Sequence, residues 1–240
     1  MKVKECTFSS GGERIDGTIY FPEGKGKFPG VVIYHGLGSR KDRYTDRAQV
    51  LAKNGIVTLN FSFRGCGKSG GDFKVQTVRN GMQDALSGFD HLTSYTEIDK
   101  EKIGVYGGSS GGYLAALITE KRPVKSLILS APAIYKDEWW DRSAESIAYE
   151  TSEYRHSGEN FNTKAITAIK NYPGSLLVIK HEKDEVIPER VTNAYFNQAT
   201  SVQKKKMHVI KNAKHSLHDQ KFRNESNKIT AEWFKETLVS

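Results

Sequence analysis

One serine in the chain stands in a glycine-rich context that suits nucleophilic chemistry. Residues Gly107 to Gly111 read GGSSG and match Gly-x-Ser-x-Gly, the pattern that holds a nucleophile on a tight turn between a strand and a helix. Glycines two residues before and after Ser109 would let neighbouring chains pass close to a strained backbone. A frame shifted by one residue makes Ser110 the nucleophile, and a plain Gly/Ser loop is the third interpretation. The register of the preceding strand favours Ser109.

A serine hydroxyl is a weak nucleophile at neutral pH, so it needs a base, and the base needs an orienting carboxylate. Asp184 is the best candidate acid, because it follows the apolar run Leu176–Ile179 and precedes a helix opened by Pro188. Two other carboxylates, Glu182 and Glu185, are its neighbours in the same loop. The position at the carboxyl end of a strand favours Asp184.

The candidate base is His215, on the loop between the apolar run Met207–Ile210 and the last predicted helix. A loop histidine there can shuttle protons between the serine and the reacting groups. His218 is the serious rival, whereas His208 lies inside a strand and His181 lies beside the acid.

Two backbone amides are candidate oxyanion donors. Residues Val31–Ser39 read VVIYHGLGS, a strand that enters a glycine-bracketed turn, and this turn would point the amide of Leu37 at a substrate oxygen. The amide of Ser110 is the second candidate, because it begins a helix whose N-terminal dipole favours negative charge. We interpret His35 as a structural residue.

The elements that must position these residues alternate along the chain. Short runs rich in β-branched residues are separated by amphipathic stretches, as in a parallel sheet with crossover helices on both faces. The predicted strands are Val3–Phe8, Ile15–Phe21, Val31–Tyr34, Ile56–Phe61, Ile103–Tyr106, Leu127–Ser130, Leu176–Ile179 and Met207–Ile210. The predicted helices are Tyr44–Lys53, Val78–Leu92, Gly112–Glu120, Pro188–Ala199 and Asn224–Leu238. We predict a single α/β domain over residues 1–240, with a mostly parallel eight-stranded sheet.

The interval at about residues 133–172 is too long for a simple crossover, and long insertions in compact domains are often active-site lids. It contains Trp139 and Trp140, which could stack on an aromatic or acyl group of a substrate. The alternative is a decorated crossover helix, in which the aromatic side chains only pack the insert onto the domain.

Composition excludes several other classes of protein. Lys and Arg total 36 against 28 Asp and Glu, but only Lys204–Lys206 forms a run, without aromatic residues that would stack on bases, so we expect no nucleic-acid partner. Two cysteines are too few for a disulfide framework. No apolar run has the length of a signal peptide or a membrane helix, so we expect a cytoplasmic protein without a membrane partner.

A second glycine-rich motif matches a nucleotide-binding pattern but lacks the surroundings that such a site needs. Gly65 to Gly70 reads GCGKSG and satisfies the dinucleotide-binding pattern, with Asp84 near the offset of a ribose-binding acid. Asp84 falls within an amphipathic helix, however, and not at the end of a strand. Ser62 also stands where a phosphate-binding loop would have its first glycine. We therefore expect no cofactor and no metal ion.

Taken together, these motifs resemble the α/β-hydrolase superfamily over essentially the whole chain, from His35 through the Arg64–Ser69 loop to His215. Within it the chain is similar to small bacterial carboxylesterases of the cinnamoyl (feruloyl) esterase, dienelactone hydrolase and prolyl-oligopeptidase-like branch. Two features depart from that pattern: His181 replaces a glycine that such proteins often have before the acid, and the insert is shorter than the lids of cinnamoyl esterases. Both bear on substrate choice.

The hypothesis is therefore acyl transfer from a small ester to water, with Ser109 as nucleophile, His215 as base and Asp184 as its orienting acid. The amides of Leu37 and Ser110 would hold the oxyanion. A thioesterase or an acyl-peptide or dipeptide hydrolase would use the same triad. A catalytically silent binding protein of the same fold is the alternative outside enzymes. Neither the natural substrate nor the oligomeric state follows from the sequence.

Overall fold

The computed structural model describes residues 1–239 and is built around one eight-stranded sheet. Its strands are β1 (Lys2–Ser10), β2 (Glu13–Phe21), β3 (Phe28–Tyr34), β4 (Val57–Phe61), β5 (Ile98–Gly108), β6 (Ser126–Ser130), β7 (Ser175–His181) and β8 (Lys204–Ile210). All eight predicted strands are present. The largest difference is in β5, which begins five residues before its predicted start because Ile98 already pairs with Phe28 ahead of a register shift.

The strands lie in the order β1-β2-β4-β3-β5-β6-β7-β8. The β1–β2 and β2–β4 pairs are antiparallel, and every later pair is parallel. The predicted mostly parallel eight-stranded sheet is therefore confirmed. Because the strands from β3 to β8 run in one direction, their carboxyl ends share one edge of the sheet, where the loops that follow them can meet.

Helices cover both faces of the sheet, as predicted. They are α1 (Thr45–Lys53), α2 (Val78–Thr93), α3 (Ser110–Ile118), α4 (Ala148–His156), α5 (Lys164–Asn171), α6 (Glu189–Gln198) and α7 (Gln220–Phe234). One buried cluster joins the sheet to α1 and α7, and a larger one joins the opposite face to α2, α3, α5 and α6. Successive residues of β3 alternate between the two clusters, as Val31 and Val32 do, because neighbouring strand side chains point to opposite faces.

Helix α7 begins four residues before its predicted start. Asp219 precedes it in an extended conformation, and its side chain accepts a hydrogen bond from the amide of Lys221. This is an N-terminal cap, which satisfies an amide that otherwise has no partner. The last residues of the predicted helix, which ended at Leu238, lie in a π-helix, Lys235–Val239, and not in α7.

The interval between β6 and β7 contains two α-helices that the sequence pattern did not predict. Helix α5 packs against α3 and α6 and buries Ala165, Ile166, Ala168 and Ile169, so it is the crossover helix between the two parallel strands. Helix α4 precedes it and lies nearer the carboxyl edge of the sheet, where it contributes side chains to a cavity described below. The insert thus combines a crossover helix with an added segment.

No helix within residues 1–239 has both the length and the apolar composition that are needed to cross a bilayer.

Candidate active site

Ser109 lies on the turn between β5 and α3 in a strained conformation, with φ at 53° and ψ at −121°. The flanking glycines are required by space. A Cβ atom on Gly107 would lie 2.3 Å from the carbonyl oxygen of Gly111, and one on Gly111 would lie 2.2 Å from the carbonyl oxygen of Tyr34. Real Cβ atoms do not approach backbone so closely, so only glycine allows this turn. The turn places the hydroxyl of Ser109 at the carboxyl edge of the sheet.

The structure brings three of the predicted side chains into one hydrogen-bonded chain. Nε2 of His215 lies 3.1 Å from Oγ of Ser109, and Nδ1 of the same ring lies 2.8 Å from Oδ2 of Asp184. With the proton on Nδ1, the ring donates to the carboxylate and Nε2 is free to accept from the serine hydroxyl. The three residues follow β5, β7 and β8, whose carboxyl ends share one edge. This is the arrangement that activates a serine.

Asp184 is fixed by its own loop. Its Oδ1 accepts hydrogen bonds from the amides of Val186 at 2.9 Å and Ile187 at 2.8 Å, which leaves Oδ2 for His215. Burial raises the pKa of Asp184, but the hydrogen bond and charge of His215 together with the two amides outweigh burial and lower it. The carboxylate therefore stays ionised at neutral pH and can accept the hydrogen bond from Nδ1 of His215.

The neighbouring candidates are engaged elsewhere. Glu182 accepts from Nζ of Lys211 at 2.9 Å and from the amide of Asn212 at 2.8 Å. Glu185 accepts only from the backbone amide of His215, at 3.3 Å. His218 is exposed, and its backbone amide bonds to Ser216. The hydrogen bonds of the ring thus select His215 over His218 as the partner of Ser109.

His181, the residue that departs from the family pattern, supports the loop of the base. Its buried ring donates from Nδ1 to the carbonyl oxygen of His215 at 3.1 Å, and its Nε2 lies 3.4 Å from Oγ of Ser130. Burial lowers the pKa of His181 to about 4, so the ring is neutral at physiological pH. Sequence reasoning gave His181 no function because its partner is a backbone atom 34 residues away.

The predicted oxyanion donors lie on either side of Ser109. Ser110 is the first residue of α3, so its amide has no acceptor inside the helix. Leu37 lies on the loop after β3, and this loop packs so tightly on the nucleophile that a Cβ atom on Gly36 would lie 3.2 Å from Cβ of Ser109. The loop that carries Leu37 therefore lies against the turn that carries Ser109 and Ser110.

His35 holds that loop in place, as its interpretation as a structural residue requires. Its Nε2 accepts from the amide of Phe63 at 2.9 Å, so the proton lies on Nδ1, which donates to the carbonyl oxygen of Gly36 at 2.7 Å. Burial lowers the pKa of His35 to about 4. The neutral ring therefore ties the loop after β3 to the loop after β4.

A cavity of about 470 Å³ opens above Ser109 and His215. Its walls come from the loop after β3, from α1 and α7, and from the insert. An apolar recess of about 50 Å³ shares the Gly36–Gly38 loop with this cavity; its other lining residues include Phe63, Val78, Leu114 and Ile147. Both spaces are large enough for parts of a small organic substrate, and both are bounded by the predicted oxyanion loop.

The structure places the two predicted substrate-binding tryptophans outside the cavity walls. Trp139 is buried and meets Tyr154 edge to face, with ring centroids 5.8 Å apart. Trp140 is partly buried beside the guanidinium of Arg79, and its carbonyl oxygen accepts from the amide of that residue. The insert residues that do line the cavity are Tyr135, Ala144, Ala148, Thr151 and Arg155.

The loop that resembles a dinucleotide-binding motif is tied to α2 by a buried ion pair. The guanidinium and amide of Arg64 donate to the fully buried carboxylate of Asp84, with the shortest contact at 2.6 Å. Within residues 1–239, no group of three or more histidine, cysteine or acidic side chains is arranged to hold a metal ion.

Comparison with known proteins gives one family match, to the prolyl oligopeptidase family, over residues 43–240. A curated relative, an uncharacterized protein of Pseudomonas aeruginosa, is 32% identical over 118 residues, which are 47% of this chain but only 32% of that protein. The chain thus spans less than half the length of that relative.

Two solved structures share the fold. The esterase Est1E of Butyrivibrio proteoclasticus with ferulic acid bound is 18% identical, with a TM-score of 0.78 over 98% of this chain and 100% of that one. The Pyrococcus furiosus esterase Pf2001 is 20% identical, with a TM-score of 0.74 over 99% of this chain and 93% of that one.

Proposed function

We propose that this chain, which belongs to the prolyl oligopeptidase family of hydrolases and has the α/β-hydrolase fold, is a serine esterase. Its proposed reaction is the hydrolysis of small carboxylic esters, and the proposal rests on the family and on the geometry of the site. Family and fold confirm the resemblance to α/β-hydrolases. The proposal adds the reaction, the residues that perform it and the class of bond that is cleaved.

The single observation that carries the proposal is the position of His215. One ring nitrogen lies within hydrogen-bond distance of Ser109 and the other within that of Asp184, in a cavity that a small molecule could enter. A histidine that served packing alone would not need a strained serine on one side and an ionised carboxylate on the other. The same three groups recur on unrelated folds that perform acyl transfer.

In the proposed first half-reaction, Oγ of Ser109 attacks the ester carbonyl carbon while Nε2 of His215 takes its proton. The carbonyl oxygen becomes an oxyanion that accepts hydrogen bonds from the amides of Leu37 and Ser110. Each such donor typically contributes about a hundredfold to a thousandfold in rate. Nε2 then gives the proton to the leaving alkoxide oxygen, the bond between that oxygen and the acyl carbon breaks, and an acyl-serine and a free alcohol result.

In the second half-reaction, a water molecule takes the place of the alcohol. Nε2 of His215 accepts one of its protons as the water oxygen attacks the acyl carbon. The same nitrogen returns the proton to Oγ of Ser109 when the acyl bond breaks, so the carboxylic acid leaves and the enzyme is regenerated. Asp184 holds the ring orientation through both steps and stabilises the imidazolium without taking its proton.

A peptide bond is the second candidate target, because the family that matches the chain is named for a peptidase. The triad chemistry is the same, and the difference lies in the binding of the groups on either side of the bond. A matched ester, thioester and amide of one acyl group would discriminate between the candidates. We expect the ester to give the highest kcat/KM.

Labelling with a fluorophosphonate probe tests the proposal without knowledge of the substrate. We expect the wild-type protein and Ser110→Ala, which keeps its backbone amide, to be labelled, whereas Ser109→Ala should not be. His215→Ala should also lose labelling, and His218→Ala should keep it. A wild-type protein that is not labelled would contradict an activated serine and favour a binding protein. If Ser109→Ala were labelled as strongly as wild type, the assignment of Ser109 as the nucleophile would be wrong.

A further inference from the structure

The insert carries a pair of buried polar side chains whose hydrogen-bonding groups have no partner. Thr151 and Arg155 lie four residues apart on α4, so they share one face of the helix. Both line the cavity that contains Ser109 and His215. Their exposed fractions are only 4% and 8%, and Oγ1 of Thr151 and Nε of Arg155 are themselves shielded from solvent.

Arg155 is a buried cation without an acidic partner. Its Nε has no hydrogen-bond acceptor, and no carboxylate in residues 1–239 forms an ion pair with it. The guanidinium lies over the ring of Tyr135, with Cζ 5.3 Å from the ring centroid. Of the other two buried arginines within residues 1–239, Arg64 faces the carboxylate of Asp84 at 2.6 Å, whereas Arg47 bonds to the neutral side chains of Asn227 and Ser226. The side chain of Arg155 has neither kind of partner in that part of the chain. Burying a charge without a partner is unfavourable, so an anion supplied by a ligand would stabilise Arg155.

Thr151, one helical turn before Arg155, also has a buried polar atom without a hydrogen-bond partner. Its Oγ1 is buried and has no partner, although a threonine inside a helix can usually bond to the carbonyl four residues before it. That carbonyl, of Ile147, instead accepts only from the amide of Thr151. A guanidinium and a hydroxyl on one face of a helix are both donors that suit a carboxylate group.

The rest of the cavity wall favours an anion as well. Outside the proposed triad, its charged lining consists of Arg43, Arg47, Arg155 and Arg223 against Asp46. The guanidinium of Arg47 is stacked on Tyr106 and bonds to the neutral side chains of Asn227 and Ser226. The positive charge of the wall is therefore not cancelled by neighbouring acids, and it would attract a negatively charged molecule into the cavity.

We propose that the substrate of this site is an ester that carries a free carboxylate, and that Arg155 and Thr151 of the insert bind this carboxylate while Ser109 attacks the ester bond. The inference rests on the proposed esterase function and adds the class of substrate to it. A carboxylate at the α4 wall of the cavity would neutralise the charge of Arg155 and could accept hydrogen bonds from its guanidinium and from the hydroxyl of Thr151. The carboxylate lies on the acyl or the alcohol part, whichever faces α4.

Two matched pairs of esters test the proposal. The first pair, p-nitrophenyl hexanoate and the mono-p-nitrophenyl ester of adipic acid, differs by a carboxylate at the end of the acyl chain. The second, p-nitrophenyl butyrate and 5-butyryloxy-2-nitrobenzoate, differs by a carboxylate on the leaving group. For at least one pair we expect wild-type kcat/KM for the anionic ester to exceed that for the neutral one by about tenfold or more, as for a hydrogen bond to a charged group. A ratio of one or less in both pairs would overturn the inference.

Substitutions on α4 test which residues cause the preference for the anionic ester over the neutral one. Arg155→Met should lower the anionic-to-neutral ratio by about 10- to 100-fold, and Thr151→Val by about 2- to 10-fold. Arg142→Met is the matched control, because Arg142 lies on the same insert but pairs with Glu150 outside the cavity wall, and it should keep the wild-type ratio. An unchanged ratio in both Arg155→Met and Thr151→Val would exclude α4 as the carboxylate site.

A failure of the esterase function can be separated from a failure of this inference. If fluorophosphonate labels the wild-type protein but the ratios stay near one, the esterase proposal stands and the carboxylate site falls. If labelling and turnover are both absent, calorimetric titration of Ser109→Ala with the mono-p-nitrophenyl ester of adipic acid tests the site alone. We expect binding that weakens about tenfold or more when Arg155→Met is added, and binding unaffected by that change would contradict the inference.

Discussion

The ring of His181 is hydrogen-bonded to the backbone of His215 and not to its side chain, with 3.1 Å between Nδ1 and the carbonyl oxygen. The two rings lie close, with centroids 6.5 Å apart. Because the second nitrogen of His181 lies beside Ser130 on the neighbouring strand, this residue ties the loop of the proposed base to the sheet. The imidazole of His215 owes part of its position to a residue that does not touch Ser109.

We expect His181→Ala to lower kcat for p-nitrophenyl butyrate by about tenfold with little change in KM, since small misplacements of a catalytic group slow the chemical step. Steady-state kinetics measure both constants. His208→Ala is the control, because that ring pairs with Glu225 on α7 and does not contact the site. A change in KM alone would show that His181 acts on substrate binding and not on the base.

Asp184→Asn should lower kcat by about 10⁴-fold while the fold is retained, because an amide cannot hold the imidazole in the tautomer that accepts the serine proton. Glu182→Gln is the matched control in the same loop, and we expect activity within a factor of about two to three of wild type, as its partners are Lys211 and Asn212. Circular dichroism of both variants checks that they are folded. Comparable losses in the two variants would argue against Asp184 as the specific acid.

Acid should destabilise the protein through His35. Burial lowers the pKa of this ring from 6.5 to about 4, so its neutral form stabilises the fold above pH 6.5, and this contribution is lost as the pH falls toward 4 because only the unfolded chain takes up the proton. Between pH 7 and pH 5 the loss is about 2 kcal/mol in the free energy of unfolding.

Urea unfolding at pH 7 and at pH 5 measures how much the free energy of unfolding falls between the two pH values. In His35→Gln this decrease should be smaller than in wild type by about 2 kcal/mol. His156→Gln, which replaces an exposed histidine of the insert, should behave as wild type does. An identical pH dependence in wild type and His35→Gln would show that this ring does not carry the effect.

Two arginine–aspartate pairs on α2 offer a matched test of burial. Asp84→Asn removes the charge that faces Arg64 in the interior and should lower the free energy of unfolding by about 3 to 5 kcal/mol. Asp90→Asn acts on an exposed pair with Arg122, whose side chains are 52% and 33% exposed, and should cost no more than about 1 kcal/mol. Urea unfolding compares the variants. Equal effects would mean that the Arg64–Asp84 pair does not hold the loop after β4.

The strands of the sheet and the positions of the loops that follow them could be predicted because local patterns determine them, whereas the order of the strands was not predicted. Buried strands such as β6 and β7 are unbroken apolar runs, and the proposed nucleophile, acid and base each follow one of these runs. The glycines around Ser109 indicate a tight turn that only glycine permits. These signals lie within a few residues of the feature that they predict, so no knowledge of tertiary packing is needed.

The insert could not be predicted in the same way. Helix α4 has the sequence AYETSEYRH, whose polar residues show no clear helical period, so its structure depends on contacts with the rest of the protein. Arg155 is one charged residue among several there, and only the structure shows that it is buried and without an acid. Trp139 and Trp140 were predicted to bind substrate because their rings are large, but the size of a ring does not indicate whether it faces a substrate or the protein interior. Helix α5, with apolar residues at 165, 166, 168 and 169, did carry a readable signal and was missed because it is short.

Strand β8 lies at the end of the sheet with one edge unpaired, and its first three residues are Lys204, Lys205 and Lys206. A free edge exposes backbone donors and acceptors to which a strand of another molecule could add. Lys204 pairs with Glu236, and Lys205 donates to the carbonyl oxygens of Phe196 and Ala199. Lysines on an edge strand oppose such intermolecular pairing, because their charge would have to be desolvated. The lysine run at the start of β8 thus disfavours aggregation through this edge.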